Sequence, residues 1–283
     1  ASDADSIIVG TEDVSELIQK SNKLKQIARV GIGLDSVPLE DCLKKNITVT
    51  YTPDAVTDAV AELTIGLIIS LSRKILIADQ ATRTGAWNRF EGKGLKEMTV
   101  GLVGYGRIGR RVAEALAGLR TKSILVNDIL DKSNDLHQLK TQGVDVNQVS
   151  LDSLTSECDV ISLHLPRTPK SENLFDQKRL SNMKAGALLV NTARGGLIDE
   201  HALKAALESG HLGGAALDVF KDEPYRGELT STENVILTQH MGSCSFEARD
   251  RMEAEAVQDV LNFLNGKSLE NGVDIKSELE KLK

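Results

Sequence analysis

Short apolar runs rich in β-branched residues recur along the chain and are separated by stretches of helical periodicity. From Arg83 to Thr192 and beyond they fall at Thr99–Val103, Ile124–Val126, Val160–Leu165, Ala187–Val190, Ala215–Val219 and Val235–Leu237. Several are apolar without alternation, as parallel strands must be when helices cover both faces. The alternation of such strands with helices predicts a doubly wound α/β unit. A smaller version precedes it, with strands at Ile7–Val9, Gln26–Val30 and Ile47–Thr50, so a second α/β unit is expected in the first ~75 residues.

The most apolar stretch, Ala59–Leu71, contains Glu62 and falls short of the about 20 apolar residues a membrane span needs, so it reads as a buried helix. Beyond Ser243, apolar positions at Met252, Ala256, Val257, Val260, Leu261 and Leu264 predict one long helix stopped by Asn265-Gly266. Since it follows the last strand of the larger unit, it can pack on either unit. The segment Gly85–Met98 is rich in glycine and charge, holds the only tryptophan, Trp87, and reads as a connecting arm. The tail Ser268–Lys283 reads as a mixed-charge, solvated end.

Composition narrows the class. The chain has 283 residues, enough for two domains at about 100–200 residues each. A net charge of −7 leaves no basic excess for a phosphate backbone, which argues against direct nucleic-acid binding. Cys42, Cys158 and Cys244 are odd in number, far apart and without metal-ligand spacing, so reduced thiols and no metal centre are expected. The opening Ala1-Ser-Asp-Ala-Asp shows no basic region followed by an apolar one, hence no secretory signal. A cytoplasmic location and no membrane partner are the expectation.

The first chemical motif is Gly104, Gly106 and Gly109 in G-x-G-x-x-G, straight after an apolar strand and ahead of the helical run Arg110–Leu119. Gly104 would make the tight turn, Gly106 would admit a pyrophosphate to the backbone, and Gly109 would let helix and strand pack closely. The helix N-terminus would face the phosphates. Glycines between strand and helix are common, so context carries the reading: the next strand ends at Asn127-Asp128. An acid there accepts hydrogen bonds from the adenosine ribose and repels a 2′-phosphate, which favours NAD over NADP.

Three polar residues sit where apolar strands of the larger unit end: Arg194, Glu223 and His240. In an open parallel sheet such carboxyl ends converge on the ligand crevice. Reducing a 2-keto acid needs a hydride at the carbonyl carbon, a proton at its oxygen and a fixed carboxylate. Arg194 offers a bidentate fork and protonated His240 a general acid. An ionised Glu223 beside the histidine favours the imidazolium and orients the ring. Taken singly, Arg194 also reads as a helix-start surface residue, Glu223 reads first as a solvated turn and His240 first as a loop histidine; only the set carries the argument.

With these residues in view the chain resembles the D-isomer-specific 2-hydroxyacid dehydrogenase family. The resemblance rests on Arg29-Val-Gly-Ile-Gly-Leu-Asp-Ser-Val, Val60-Ala-Glu-Leu-Thr-Ile-Gly-Leu, Gly85-Ala-Trp, Gly104-Tyr-Gly-Arg-Ile-Gly, His164-Leu-Pro-Arg-Thr-Pro, Asn191-Thr-Ala-Arg-Gly-Gly-Leu-Ile-Asp, Ala215-Ala-Leu-Asp-Val-Phe-Lys-Asp-Glu-Pro and Gln239-His-Met-Gly-Ser, in family order. It implies a Rossmann-type NAD domain inserted into a smaller flavodoxin-like substrate domain. The expected parts are 1–73 and 244–283 for the substrate domain, with the last helix and tail returning to it, and 74–243 for the NAD domain. It implies Arg194, Glu223 and His240 as the catalytic set, with Val30, Gly31 and Ile32 joining Arg194 and His240 at the substrate. Cofactor contacts are implied at Gly104, Gly106, Arg107, Ile108, Gly109, Asp128, Leu165, Pro166, Thr192, Ala193, Arg194, Asp218, His240 and Gly242. It further implies a homodimer clasped through the arm that holds Trp87.

Two departures shape the expectation. Family members usually carry about 40–50 further residues before the position of Ala1, large against ordinary loop variation, so the chain is expected to start inside the substrate domain. Phosphoglycerate-oxidising members typically have an arginine after the strand ending at Val9, where this chain has Gly10, although Arg29 remains. The resemblance leaves the substrate open between 3-phosphoglycerate/phosphohydroxypyruvate and glyoxylate/hydroxypyruvate. It also extends to corepressor-like proteins that bind NAD to control assembly, and to phosphite or formate oxidoreductases of the same fold.

Overall fold

The computed structural model describes residues 3–281; Ala1, Ser2, Leu282 and Lys283 lie outside it, and with them the start of the opening stretch and the last of the tail read above. The chain divides into two compact units, one built from the described residues up to Ala59 and those from Ser243 onward, the other from Val60–Gly242.

In the first unit β1 (Ser6–Val9), β2 (Gln26–Arg29) and β3 (Thr48–Thr50) form a parallel three-stranded sheet in the order β1-β2-β3. The helices α1 (Ser15–Lys20) and α2 (Leu39–Lys44) connect the strands. Ile18, Ile27, Cys42, Ile47 and Val49 make its core.

The second unit opens within α3 (Thr57–Ser72), at Val60, and takes in α4 (Ile75–Arg83). It continues with β4 (Thr99–Val103), α5 (Arg107–Gly118), β5 (Ser123–Asn127), α6 (Ser133–Thr141), β6 (Val146–Gln148) and α7 (Leu151–Glu157). Then follow β7 (Val160–Leu163), α8 (Gln177–Asn182), β8 (Leu188–Asn191), α9 (Glu200–Glu208), β9 (Gly214–Leu217) and β10 (Val235–Leu237). All seven strands are parallel, in the order β10-β9-β8-β7-β4-β5-β6. From β4 the chain winds outward through β5 and β6, then returns to β7 on the other side. The carboxyl ends of β4 and β7 therefore flank the point where strand order reverses, the usual ligand crevice of an open α/β sheet. The central strands are buried on both faces, which is why β7 and β8 read as unbroken apolar runs.

The structure departs from the expected boundaries and tail. The division falls after Ala59 rather than at 73, because Ala61, Leu67 and Ile68 of α3 are buried in the larger unit's core with Val100, Leu102 and Val112. It falls again after Gly242, and the long helix α10 (Phe246–Leu264) packs on β1 and β2 of the smaller unit. There Asp259 accepts from Glu270 N at 2.9 Å, and its carbonyl accepts from Gln26 Nε2 at 3.2 Å.

The tail is not a solvated end. Val273 N donates to Val49 O at 2.8 Å, Tyr51 N to Asn271 O at 3.2 Å, and Thr50 bridges Gly272 antiparallel. This segment covers the open edge of β3. Ile275 and Leu279 of α11 (Ile275–Lys281), one helical turn apart, then pack on the smaller core. Strand β6, Val-Asn-Gln, is three residues long and polar at its end, too short to register as a hydrophobic run.

Candidate active site

Each glycine of the β4–α5 turn has its own geometric reason. At Gly104, with φ of 97°, a Cβ would come 2.3 Å from His164 O, so this is both a left-handed turn and a close approach to the end of β7. At Gly109 a Cβ would fall 2.2 Å from Gly104 O, so only glycine lets the first turn of α5 sit against the loop. At Gly106 a Cβ would meet nothing within 4 Å, which leaves the backbone open to a ligand. Helix α5 has no side-chain cap and no acid in its first turn, and Arg107 is its first residue. Its amides and dipole are left for an anion. Ile108 follows, half-buried against the core.

Asp128 stands at the end of β5 beside this loop. Its Oδ2 accepts from Tyr105 N at 2.7 Å and its Oδ1 from Leu130 N at 2.9 Å. These amides fix the carboxylate while each oxygen keeps a lone pair for a ribose hydroxyl. On the far side of the crevice Leu165 and Pro166 follow β7, with Pro166 O accepting from Ser171 Oγ at 2.8 Å. An open backbone at Gly106, an uncapped helix start and a fixed acid at the second strand fit a dinucleotide.

At the end of β8 the buried Asn191 builds the turn that presents Arg194. Its Oδ1 accepts from Ala193 N at 3.0 Å and its Nδ2 donates to Arg194 O at 2.8 Å. Thr192 is buried, and its hydroxyl lies 2.7 Å from that of Thr64 on α3. Arg194 Nη1 donates to Ala193 O at 2.6 Å. A Cβ on Gly195 would fall 1.7 Å from Phe220 O, so glycine lets this turn lie directly on the loop that carries Glu223.

Glu223 spans two partners: Phe220 N donates to its Oε1 at 3.0 Å, and its Oε2 lies 2.7 Å from His240 Nδ1. Both side chains are partly exposed, at 35% and 46%. With Nδ1 facing a carboxylate, the proton on that nitrogen is held and Nε2 is the atom left to exchange a proton with a ligand.

His240 has a φ of 52°, in the left-handed region, a conformation that persists where the surroundings over-determine it. The residue responsible is Asp218, only 1% exposed at the end of β9. Asp218 Oδ1 accepts from Thr238 Oγ1 at 2.5 Å and Met241 N at 2.9 Å, Oδ2 accepts from Gly242 N at 2.9 Å, and its carbonyl accepts from His240 N at 2.7 Å. The family resemblance implies Asp218 beside the cofactor, and the structure adds its grip on residues 238–242. Asn191, Thr64 and Thr238 escaped that reading, although Asn191 before a Thr-Ala-Arg-Gly-Gly turn carried the signal of an Asx turn.

The larger unit thus brings together the Arg194 turn, Glu223 and His240. In the smaller unit Val30, Gly31 and Ile32 follow β2. Val30 N donates to Val9 O at 2.8 Å and Gly31 N to Thr52 Oγ1 at 2.7 Å, so two of the three expected amides have partners within the fold. Among the described residues no group of three His, Cys, Asp or Glu side chains is arranged to hold a metal ion, and no helix is long and apolar enough to cross a membrane.

Residues 65–242 match the model of the D-isomer specific 2-hydroxyacid dehydrogenase NAD-binding domain. The chain is 37% identical over 261 residues to a glyoxylate reductase of Thermococcus litoralis, covering 89% of this chain and 77% of that protein. It is 37% identical over 291 residues to a D-3-phosphoglycerate dehydrogenase of Methanocaldococcus jannaschii, covering 99% of this chain and 54% of that one. The crystal structure of D-lactate dehydrogenase from Aquifex aeolicus, complexed with NAD and lactic acid, superimposes with a TM-score of 0.84 at 31% identity, over 93% of this chain and 84% of that one.

Proposed function

Because the chain belongs to the D-isomer specific 2-hydroxyacid dehydrogenase family of NAD-dependent oxidoreductases, we propose that it reduces a small 2-keto acid at C2, with His240 as proton donor and Arg194 as the carboxylate and carbonyl clamp. The observation that carries this reading is the 2.7 Å contact between His240 Nδ1 and Glu223 Oε2 on a turn whose backbone Asp218 holds. The pair directs the proton to Nε2, from which it would pass to the keto oxygen as a hydride adds at C2, giving the alcohol. Arg194 binds the planar carboxylate through two parallel N–H donors and fixes the carbonyl carbon. In the opposite direction His240 takes the hydroxyl proton as a base.

The cofactor is NAD. Gly104–Gly109 and the start of α5 would hold its pyrophosphate, Asp128 its ribose, and Leu165, Pro166, Thr192, Ala193 and Gly242 would line the remainder. When bound it supplies or accepts the hydride at C2. In the smaller unit Ile32 has the amide left for a substrate carboxylate, since those of Val30 and Gly31 are engaged.

The glyoxylate reductase of Thermococcus litoralis and the hydroxypyruvate reductase of Thermotoga maritima, both 37% identical to this chain, support glyoxylate or hydroxypyruvate as substrate. A homodimer through the arm and a cytoplasmic location complete the proposal. The test is NADH oxidation with glyoxylate and hydroxypyruvate in wild type and His240→Ala. The variant should lose roughly 10²–10⁴ in kcat while NADH still binds, and Glu223→Gln should lose less. Full activity in His240→Ala removes the proton-donor assignment, and NADH binding without turnover in wild type points to an NAD-controlled binding protein instead.

A further inference from the structure

Strand β6 lies at one edge of the larger sheet and ends in two polar residues, Asn147 and Gln148. So short an edge strand adds little to the core, yet the side-chain amide of its last residue is fully occupied. Gln148 Oε1 accepts from Lys132 N at 2.7 Å, and its Nε2 donates to Leu130 O at 2.8 Å and to Asp128 O at 3.3 Å. One side chain thus ties together the loop 128–132 that leaves β5. The register explains the reach. Gln148 pairs with Val126 on the parallel β5, and Val149 N donates to Val126 O at 2.8 Å, so Gln148 stands beside the chain as it turns out of the sheet.

Burial does not hold this loop. Its apolar residues, Ile129 and Leu130, are 100% and 61% exposed, so its shape rests on hydrogen bonds. One of these is the bond by which Leu130 N holds Asp128 Oδ1 at 2.9 Å. Gln148 grips Asp128 and Leu130 by their carbonyls, which fixes the distance between the acid and the amide that holds it.

We propose that Gln148 is a positioning residue for cofactor choice: it braces the loop 128–132 so that the Asp128 carboxylate is preset for a ribose 2′-hydroxyl and against a 2′-phosphate. The proposal rests on the NAD reading of Asp128 given above. An acid discriminates between the two only while it is fixed, because a loose carboxylate turns away from a phosphate and must be ordered before it can accept from a hydroxyl. Tyr105 N secures Oδ2 from the glycine loop, and Gln148 secures the side that carries the donor to Oδ1. His240 follows β10, at the opposite edge of the seven-stranded sheet. Gln148 therefore acts on cofactor binding and not on proton delivery.

Fluorescence titration of NADH and NADPH with wild type, Gln148→Met, Asp128→Ala and the double variant tests this, and needs no substrate. Methionine keeps the length of glutamine and removes all three hydrogen bonds; Gln148→Ala is measured beside it, so that a misfit of the longer chain does not decide the outcome. In both variants the preference for NADH should narrow about tenfold, chiefly through weaker NADH binding. In the Asp128→Ala background the same substitution should change the ratio by less than about twofold, because its effect passes through that carboxylate. Where turnover is measured, KM for NADH should rise while kcat at saturating cofactor stays within about twofold. A preference unchanged in the Gln148 variants, or one that narrows equally with and without Asp128, overturns the proposal and leaves the NAD reading of Asp128 standing. A wild type with no preference for NADH overturns that reading and this proposal with it.

Discussion

Asp218 holds His240 in a left-handed conformation: the carbonyl of one accepts from the amide of the other at 2.7 Å, while the buried carboxylate takes Met241 N and Gly242 N, both at 2.9 Å. Asn in place of Asp218 keeps one acceptor oxygen and turns an NH2 toward a backbone donor. Asp218→Asn should cost about 1–3 kcal/mol of stability, from a buried donor left without a partner. It should also lower kcat by more than it weakens NADH binding, because the Glu223–His240 contact loosens. Urea unfolding and NADH fluorescence titration beside steady-state kinetics check this, and a variant with wild-type kcat shows the turn does not need the clamp.

Asp128 is fixed by the amides of Tyr105 and Leu130, so its charge cannot swing away from a 2′-phosphate. NADH should bind at least about tenfold more tightly than NADPH, and Asp128→Ala should narrow that ratio by weakening NADH and admitting NADPH. Equal affinities in wild type by fluorescence titration contradict the assignment.

His164 follows β7 beneath the glycine loop, and both ring nitrogens are sealed from solvent without a hydrogen-bond partner. Burial pushes its imidazole from 6.5 down to about 3. The folded protein therefore keeps the ring neutral where the unfolded chain, titrating near 6.5, binds a proton. Stability tied to this group is present above about pH 6.5 and is lost as pH falls toward 3, by up to about 1.4 kcal/mol per pH unit. His164→Leu should flatten the acid side of the stability profile measured by urea unfolding between pH 4.5 and 7. Parallel profiles would place the acid sensitivity on other groups.

Trp87 is 85% exposed, α4 buries none of its residues, and Ile75 and Leu76 are exposed at 46% and 40%. Apolar surface of this kind is what the proposed two-fold dimer would cover. Light scattering at micromolar concentration should give twice the chain mass, and Trp87→Ser should shift the mass toward that of one chain. A monomeric wild type rules the dimer out.

Much of this was legible in local sequence because the physics involved is local. Buried parallel strands must be apolar on both faces, so β4, β5, β7, β8 and β9 stood out as unbroken runs. A phosphate turn needs glycines at fixed offsets, and the backbone shows the tight turn at Gly104 and the close helix–loop approach at Gly109 that the spacing calls for. Polar residues just past strand ends mark the carboxyl edge, and Arg194, Glu223 and His240 follow β8, β9 and β10 there. Tertiary structure alone decided what depends on partners distant in sequence. It put α3 into the larger core through Ala61, Leu67 and Ile68, and it laid the tail along β3 through Val273, although composition there reads as solvated. It joined Glu12 to Gly10 and set Arg29 over Gly31. It also made Asp218 the anchor of His240 across a gap of some twenty residues. Periodicity records which face of an element is buried, whereas the partner of a single buried carboxylate is set only when β9 and β10 lie side by side.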